Sequence, residues 1–126
     1  MKVLCLALLL ILTFQLKITK ENKLAGKSFI IIENGFNFPQ LNGIVVSFTP
    51  SKIGFEGCNK NWANYKTDLS TLKVSKEWKS SHIPCSQAID NYLQTLIDES
   101  EKISLVGQTL TLSDRDGEAK LALKRQ

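Results

Sequence analysis

The sequence is poor in the residues that build metal sites and thiol enzymes. Its 126 residues include one histidine and three cysteines, and the CxxC or HxxxH spacings of metal sites are missing. His82 precedes Cys85 by three residues, and residues three apart on an extended segment point to opposite faces. We therefore expect no metal, no cofactor and no catalytic residue. A thiol enzyme using Cys58 or Cys85 is the remaining enzymatic alternative.

Clusters of basic residues are also missing. The formal net charge is +4, with a pI near 9.0, but the lysines are scattered singly and Lys124-Arg125 is the one adjacent basic pair. Nucleic-acid-binding proteins concentrate such charge in a stripe or patch. We interpret the charge as promoting solubility, with a functional basic face as the alternative, and expect no nucleic-acid partner. No N-x-[ST] sequence occurs, so N-glycosylation is not expected.

Only one long apolar run is present. It extends from Val3 to Leu16, follows a single lysine and contains two polar residues. Its length is short for a membrane span but typical of a signal-peptide core. We predict a signal peptide over residues 1–19, with no small-x-small pair to mark its cleavage site, and a secreted or secretory-lumen protein without a transmembrane anchor. A buried N-terminal strand or helix is the alternative.

The segments after this run are short and mostly alternate apolar and polar residues with a period of two, while residues 29–32 form a continuous apolar run. This pattern predicts strands, over residues 29–32, 44–49, 52–57, 63–67, 71–74, 78–83, 103–106, 109–113 and 119–124. Residues 86–100 change to a helical period, with Ser86 as the predicted N-cap. The apolar face of this helix would consist of Ile89, Tyr92, Leu93, Leu96 and Ile97. Together they predict an α+β fold: an antiparallel, β-rich, barrel-like sheet with one amphipathic helix packed on it.

Two cysteines, Cys58 and Cys85, lie beyond the predicted signal peptide. An even number in an exported protein favours a disulfide, and two buried free thiols are the alternative. Beside Cys58 the segment Asn59–Tyr65 is unusually rich in asparagine and aromatic residues. For Asn59 and Tyr65 we favour structural roles. Trp62, together with Trp78, is the candidate binding surface, because tryptophan supplies contact area at low entropic cost. For Trp62 a structural role in the core is the alternative.

The order of several short motifs resembles the META domain family, also called HslJ-like, over residues 20–126. The matching elements are Leu24-x-Gly26 before Phe29, Gly57-Cys58-Asn59 followed by Tyr65, Ser81-His82-Ile83-Pro84-Cys85 leading into the helix, and Gly107-x-x-Leu110-x-Leu112 with Gly117. The family usually has other residues at Phe29, Ala63, Ser81 and Pro84, so the chain resembles a divergent, exported member. The resemblance identifies Gly57, Cys58, Asn59, Tyr65 and Cys85 as the family-motif residues.

The resemblance implies a small barrel-like fold with one helix. It also implies export or membrane attachment, an association with stress response, drug tolerance or virulence, and no established catalytic activity. Our functional hypothesis is a secreted, monomeric, non-enzymatic domain that binds a protein or surface partner yet to be identified. A carrier that holds a small apolar ligand in the barrel interior is the alternative, and a thiol enzyme is the third hypothesis.

Overall fold

The fold is described for residues 22–126 of a computed structural model. The predicted signal peptide lies outside these residues, as does Cys5. Within residues 22–126, no helix combines the length and the apolar character that crossing a bilayer requires.

Residues 22–126 form nine strands, one α-helix and a short 3-10 turn, Pro39–Leu41. The strands are β1 Ser28–Asn34, β2 Val45–Phe48, β3 Lys52–Glu56, β4 Lys60–Thr67, β5 Leu72–Val74, β6 Lys79–Ser80, β7 Lys102–Val106, β8 Thr109–Ser113 and β9 Ala119–Arg125. The helix, α1, spans Ala88–Asp98.

The strands form a nearly closed antiparallel barrel. Their order is β5-β4-β3-β2-β1-β9-β8-β7, and β6 pairs with the first part of β4. Between the two ends of this order, Thr71 and Lys102 form an isolated bridge, and the backbone N–H of Ile103 donates to the Ser70 carbonyl at 2.9 Å. Near closure leaves little unpaired backbone at the sheet edges. The predicted α+β, barrel-like fold is thus confirmed.

The period-two pattern places alternate side chains inside and outside this barrel. In β4, Asn61, Ala63 and Tyr65 are buried, whereas Trp62 and Asn64 face outward. From α1, Leu93, Leu96 and Ile97 complete the core and are fully buried. Burying each such side chain stabilises the fold by about 1.5–3 kcal/mol.

Two predicted elements differ from the structure around Cys85. The strand predicted over 78–83 is only two residues long, and the helix begins at Ala88 rather than after Ser86, with no side-chain cap at Gln87. The predicted N-cap is therefore wrong. Residues 81–85 are fastened to the sheet by hydrogen bonds and by Cys85, and the helix begins one residue later than an N-cap at Ser86 would place it.

Candidate functional site

The predicted disulfide joins Cys58, in the β3–β4 turn, to Cys85, just before α1. The two Cα atoms are 6.2 Å apart, within the usual range for a disulfide. With both sulfurs in the bond, neither cysteine carries the thiolate that a thiol enzyme requires. His82 is exposed, and its side chain makes no hydrogen bond with residues 22–126.

The carboxylate of Asp90 lies beneath the β3–β4 turn and is only 2% exposed. It accepts hydrogen bonds from the backbone N–H groups of Cys58 at 2.8 Å and Asn59 at 2.9 Å, and from the Asn61 side-chain amide at 3.1 Å. A Cβ atom on Gly57 would overlap Asp90 Oδ1. Only glycine therefore allows the turn to approach the helix this closely.

Asn59 connects this turn to the segment before α1. Its Oδ1 accepts hydrogen bonds from the Ile83 backbone N–H at 2.8 Å and from the Ser81 hydroxyl at 3.1 Å. Its amide nitrogen lies 3.8 Å from the sulfur atoms of both Cys58 and Cys85. Asn59 is 1% exposed, so these contacts use its polar atoms inside the protein and give it a structural role.

Tyr65 also contributes to the interior. Its hydroxyl donates to the Thr49 carbonyl and accepts a hydrogen bond from the Asn22 amide at 2.9 Å. Burial raises the pKa of Tyr65 above its ordinary value. The phenol therefore stays protonated and keeps donating to Thr49 throughout the neutral range.

The hydrogen bonds around the family-motif residues are complete. Among residues 22–126, no buried side-chain nitrogen or oxygen lacks a hydrogen-bond partner. Nor do three or more His, Cys, Asp or Glu side chains of this part of the chain converge as metal ligands would. Saturated groups of this kind hold a fold together and have no free donor or acceptor for a ligand. A binding surface has to use other residues.

Trp78, one of the two tryptophans assigned to the candidate binding surface, is engaged within the fold. Its indole N–H donates to Asp98 Oδ1 at 2.8 Å, and its ring packs edge-on against Phe55 with centroids 5.6 Å apart. It is half-buried against the core. These contacts give Trp78 a structural role within the fold.

Burial of Asp98 predicts a pH-dependent contribution to stability. Burial raises its pKa above the ordinary 3.8, partly offset by the Trp78 hydrogen bond and by Lys76. The folded state therefore favours the protonated form. Protonated Asp98 therefore contributes to the free energy of unfolding. This contribution is complete below pH 3.8 and is lost as the pH rises through the raised pKa of the folded state. Asp98→Asn stays uncharged and can still accept from Trp78, so the variant should gain stability relative to the wild type as the pH rises.

Urea unfolding of both proteins at pH 3 to 7 would test this expectation. Asp116→Asn, which removes an exposed carboxylate, is the control and should show a smaller change with pH. A difference in free energy of unfolding between wild type and Asp98→Asn that stays constant across this range would contradict the expectation.

Trp62 occupies a different environment, on the outward face of β4. Its cross-strand neighbours are Gly54 in β3, which has no side chain, and Lys79 in β6. Trp62 is partly exposed, and its indole N–H has no hydrogen-bond acceptor among residues 22–126. The two tryptophans of the candidate surface thus lie on opposite sides of the barrel wall.

A second aromatic group, which sequence reasoning missed, lies where β1 and the 3-10 turn meet α1. Tyr92 packs against Phe36 and Phe38, with ring centroids 5.9 and 5.3 Å away, and Phe36 and Tyr92 are 48% and 47% exposed. The helical period assigned Tyr92 to the apolar face, and the two phenylalanines lie between the strands predicted over 29–32 and 44–49. Only the aromatic character of Phe36 and Phe38 within this mostly polar segment could have indicated this group.

The barrel interior is filled by side chains. Twelve large side chains among residues 22–126 are less than 2% exposed, including Phe29, Ile53 and Leu123. The larger grooves of this part of the protein open to the surface and are lined partly by charged residues. An apolar-ligand carrier requires a cavity inside the sheet, so the packed interior counts against that alternative.

Comparison with known proteins agrees with this architecture. The sequence matches the META domain family over residues 34–126. A protein structure solved by NMR has a TM-score of 0.59 and 18% identity, covering 81% of this chain and 91% of that chain. The crystal structure of a DUF4847 family protein from Bacteroides vulgatus has a TM-score of 0.60 and 10% identity, covering 81% and 94%. At these identities the structures show a shared fold alone. A search among curated proteins gave no match.

Proposed function

The chain belongs to the META domain family, and from this premise we propose that it is a secreted, non-enzymatic binding module whose contact surface is centred on Trp62. A role in stress response or virulence, as the family resemblance implies, is part of this proposal. The partner is a protein or another surface met outside the cell.

The partly exposed position of Trp62 carries the proposal. A tryptophan on the outer face of a sheet, with its N–H free of acceptors among residues 22–126, contributes less to folding than one whose N–H is paired and buried. Tryptophan is among the residues that most often dominate binding energies, because its ring excludes water over a large area. Gly54, opposite Trp62, contributes no side chain to this outward position.

Two further observations support export and binding. The Cys58–Cys85 bond is typical of proteins outside the reducing cytosol, which agrees with the predicted signal peptide. The saturated network around Asp90 and Asn59 supplies a rigid base on which an outer face can be presented.

Replacing Trp62 with alanine should weaken partner binding while changing the free energy of unfolding by less than about 1 kcal/mol. Replacing Trp78 with alanine should instead lower the free energy of unfolding by about 2–4 kcal/mol, because the Phe55 contact and the Asp98 hydrogen bond disappear. Affinity capture with the exported protein, compared with denaturant unfolding of each variant, separates the two effects.

Phe36→Ala is the matched control, since it removes an exposed aromatic ring from another part of the surface. Proteins or surface components that wild type and Phe36→Ala retain and Trp62→Ala loses would support the Trp62 surface. Equal capture by all three proteins, or a loss of several kcal/mol in the stability of Trp62→Ala, would contradict it.

A further inference from the structure

Strand register collects lysines on the outward face around Trp62. The residues that face outward from β3, β4, β5 and β6 can be read from their pairing, because cross-strand partners share a face. This surface, which we call the lysine face, contains Lys52, Lys60, Lys66, Lys73 and Lys79 around Trp62. All five lysines are exposed.

The charges on this face are not neutralised within the described part of the chain. Lys66 lies directly opposite Lys73 on β4 and β5, an arrangement in which like charges repel. Among residues 22–126, none of the five lysines has a carboxylate within 4.0 Å, since the salt bridges there involve Arg115 and Lys120. Glu56, opposite Lys60, is the one acidic residue at these outward strand positions.

The lysine face therefore differs in charge from the rest of the domain. Five lysines and Glu56 give it a formal charge of +4. Residues 22–126 contain 13 Lys and Arg and 11 Asp and Glu, so the remainder of this part carries −2. A positively charged surface of this kind attracts anions and increases the rate at which they associate with it.

The shape of this face suits an extended ligand. A surface groove of about 680 Å³ beside β4 and β5 is lined by Lys66, Lys73 and Lys76 together with Ser51, Asn64, Tyr65, Val74 and Ser75. Trp62 lies outside this groove, on the preceding part of β4. Along one face of a strand, alternate residues are about 7 Å apart. From Lys60 through Trp62 to Lys66, the outward positions of β4 therefore extend over about 20 Å.

We propose that the lysine face binds a linear anionic polysaccharide, which names the chemistry of the partner at the Trp62 surface and so rests on the proposed function. The lysines contact acidic groups repeated along the chain, and the indole of Trp62 packs on the apolar face of one sugar ring. Surfaces for single-stranded nucleic acid stack successive bases on several aromatic rings, and this face has one. Peripheral membrane surfaces insert several apolar residues, which these outward strand positions do not supply.

Binding to heparin, measured by calorimetry with the full mature protein, tests the proposal. Lys66→Gln/Lys73→Gln should lower the affinity for heparin by at least about tenfold, and Trp62→Ala should lower it by a similar factor. The affinity of the wild type for heparin should fall steeply between about 50 and 200 mM salt. Lys124→Gln/Arg125→Gln removes the same charge from β9, four strands from β4, and should change the affinity less than about twofold. Because the Lys66/Lys73 variant lacks the charge repulsion between these two lysines, it should remain folded, with a melting temperature equal to or slightly above that of the wild type.

Equal losses in the two double variants would overturn the proposal, because heparin would then respond to net charge alone. Tighter binding to a single-stranded oligonucleotide or to phosphatidylglycerol vesicles, at matched charge concentration, would also overturn it. If heparin fails to bind but Trp62→Ala still loses captured partners, the polysaccharide assignment fails and the proposed function stands. If heparin binding survives in Trp62→Ala but not in the Lys66/Lys73 variant, the role assigned to the tryptophan fails.

Discussion

Asp90→Asn is expected to destabilise the protein by about 3–5 kcal/mol. The carboxylate serves three donors, the backbone N–H groups of Cys58 and Asn59 and the side-chain amide of Asn61. An asparagine has one acceptor oxygen, and its NH2 group would face one of these donors. Buried donors would then lack partners, at a cost that is a large part of the 5–15 kcal/mol typical of a whole domain.

Chemical unfolding monitored by circular dichroism would measure this loss. Asp68→Asn, at an exposed aspartate after β4, is the matched control and should change the stability by less than about 0.5 kcal/mol. Gly57→Ala probes the same contact from the turn, because its added Cβ displaces the Asp90 carboxylate. If Asp90→Asn were as stable as the control, the carboxylate would not hold the turn to the helix.

The architecture follows from patterns that are local in the sequence. Period-two alternation places Ile53, Phe55, Leu121 and Leu123 inside the barrel, and the helical period places Leu93 there. The strands are short, and apart from Asn61 in β4 their buried inward residues are apolar, so the alternation is visible without knowledge of the strand partners. The order of the cysteine and glycine motifs then indicates the family.

The functions of individual polar residues do not follow from such patterns. Asp90 is separated by 32 residues from Cys58 and by 29 from Asn61, so no local pattern in the sequence connects it to the β3–β4 turn. The same limit applies to Trp78, whose acceptor Asp98 lies 20 residues further on. Contacts over these separations depend on how the helix packs on the sheet, and a short stretch of sequence does not show that packing.

The lysine face shows the same limit for charge. Lys52, Lys60, Lys66, Lys73 and Lys79 are never adjacent in the sequence, and scattered lysines ordinarily indicate solubility. They share a face only because β3 pairs with β4, and β4 pairs with both β5 and β6. The hydrogen-bond network around Asp90 and Asn59 and the lysine face lie on different sides of the barrel wall. Substitutions in one can therefore leave the other unchanged, which suits a fold that presents a binding face.

Removal of the disulfide by Cys58→Ser/Cys85→Ser is expected to cost about 3–4 kcal/mol, mainly by freeing the unfolded chain. The bond closes a loop with a sequence separation of 27. In the folded state the same segments are also joined by Asn59, through its hydrogen bonds to Ile83 and Ser81. We therefore expect the serine variant to keep its native fold and its Trp62 surface while unfolding at a lower denaturant concentration.

Equilibrium unfolding with and without reductant would measure this loss, and binding by the serine variant at low temperature would show whether the surface survives. Intact mass of the exported protein should be two hydrogens below the reduced value and should lack the predicted signal peptide, residues 1–19. Alkylation of Cys58 and Cys85 in the native protein without reductant would contradict the disulfide. Loss of binding in a folded serine variant would instead show that the bond shapes the outer face, because Asn59 alone would then be unable to hold the segment before α1 in place.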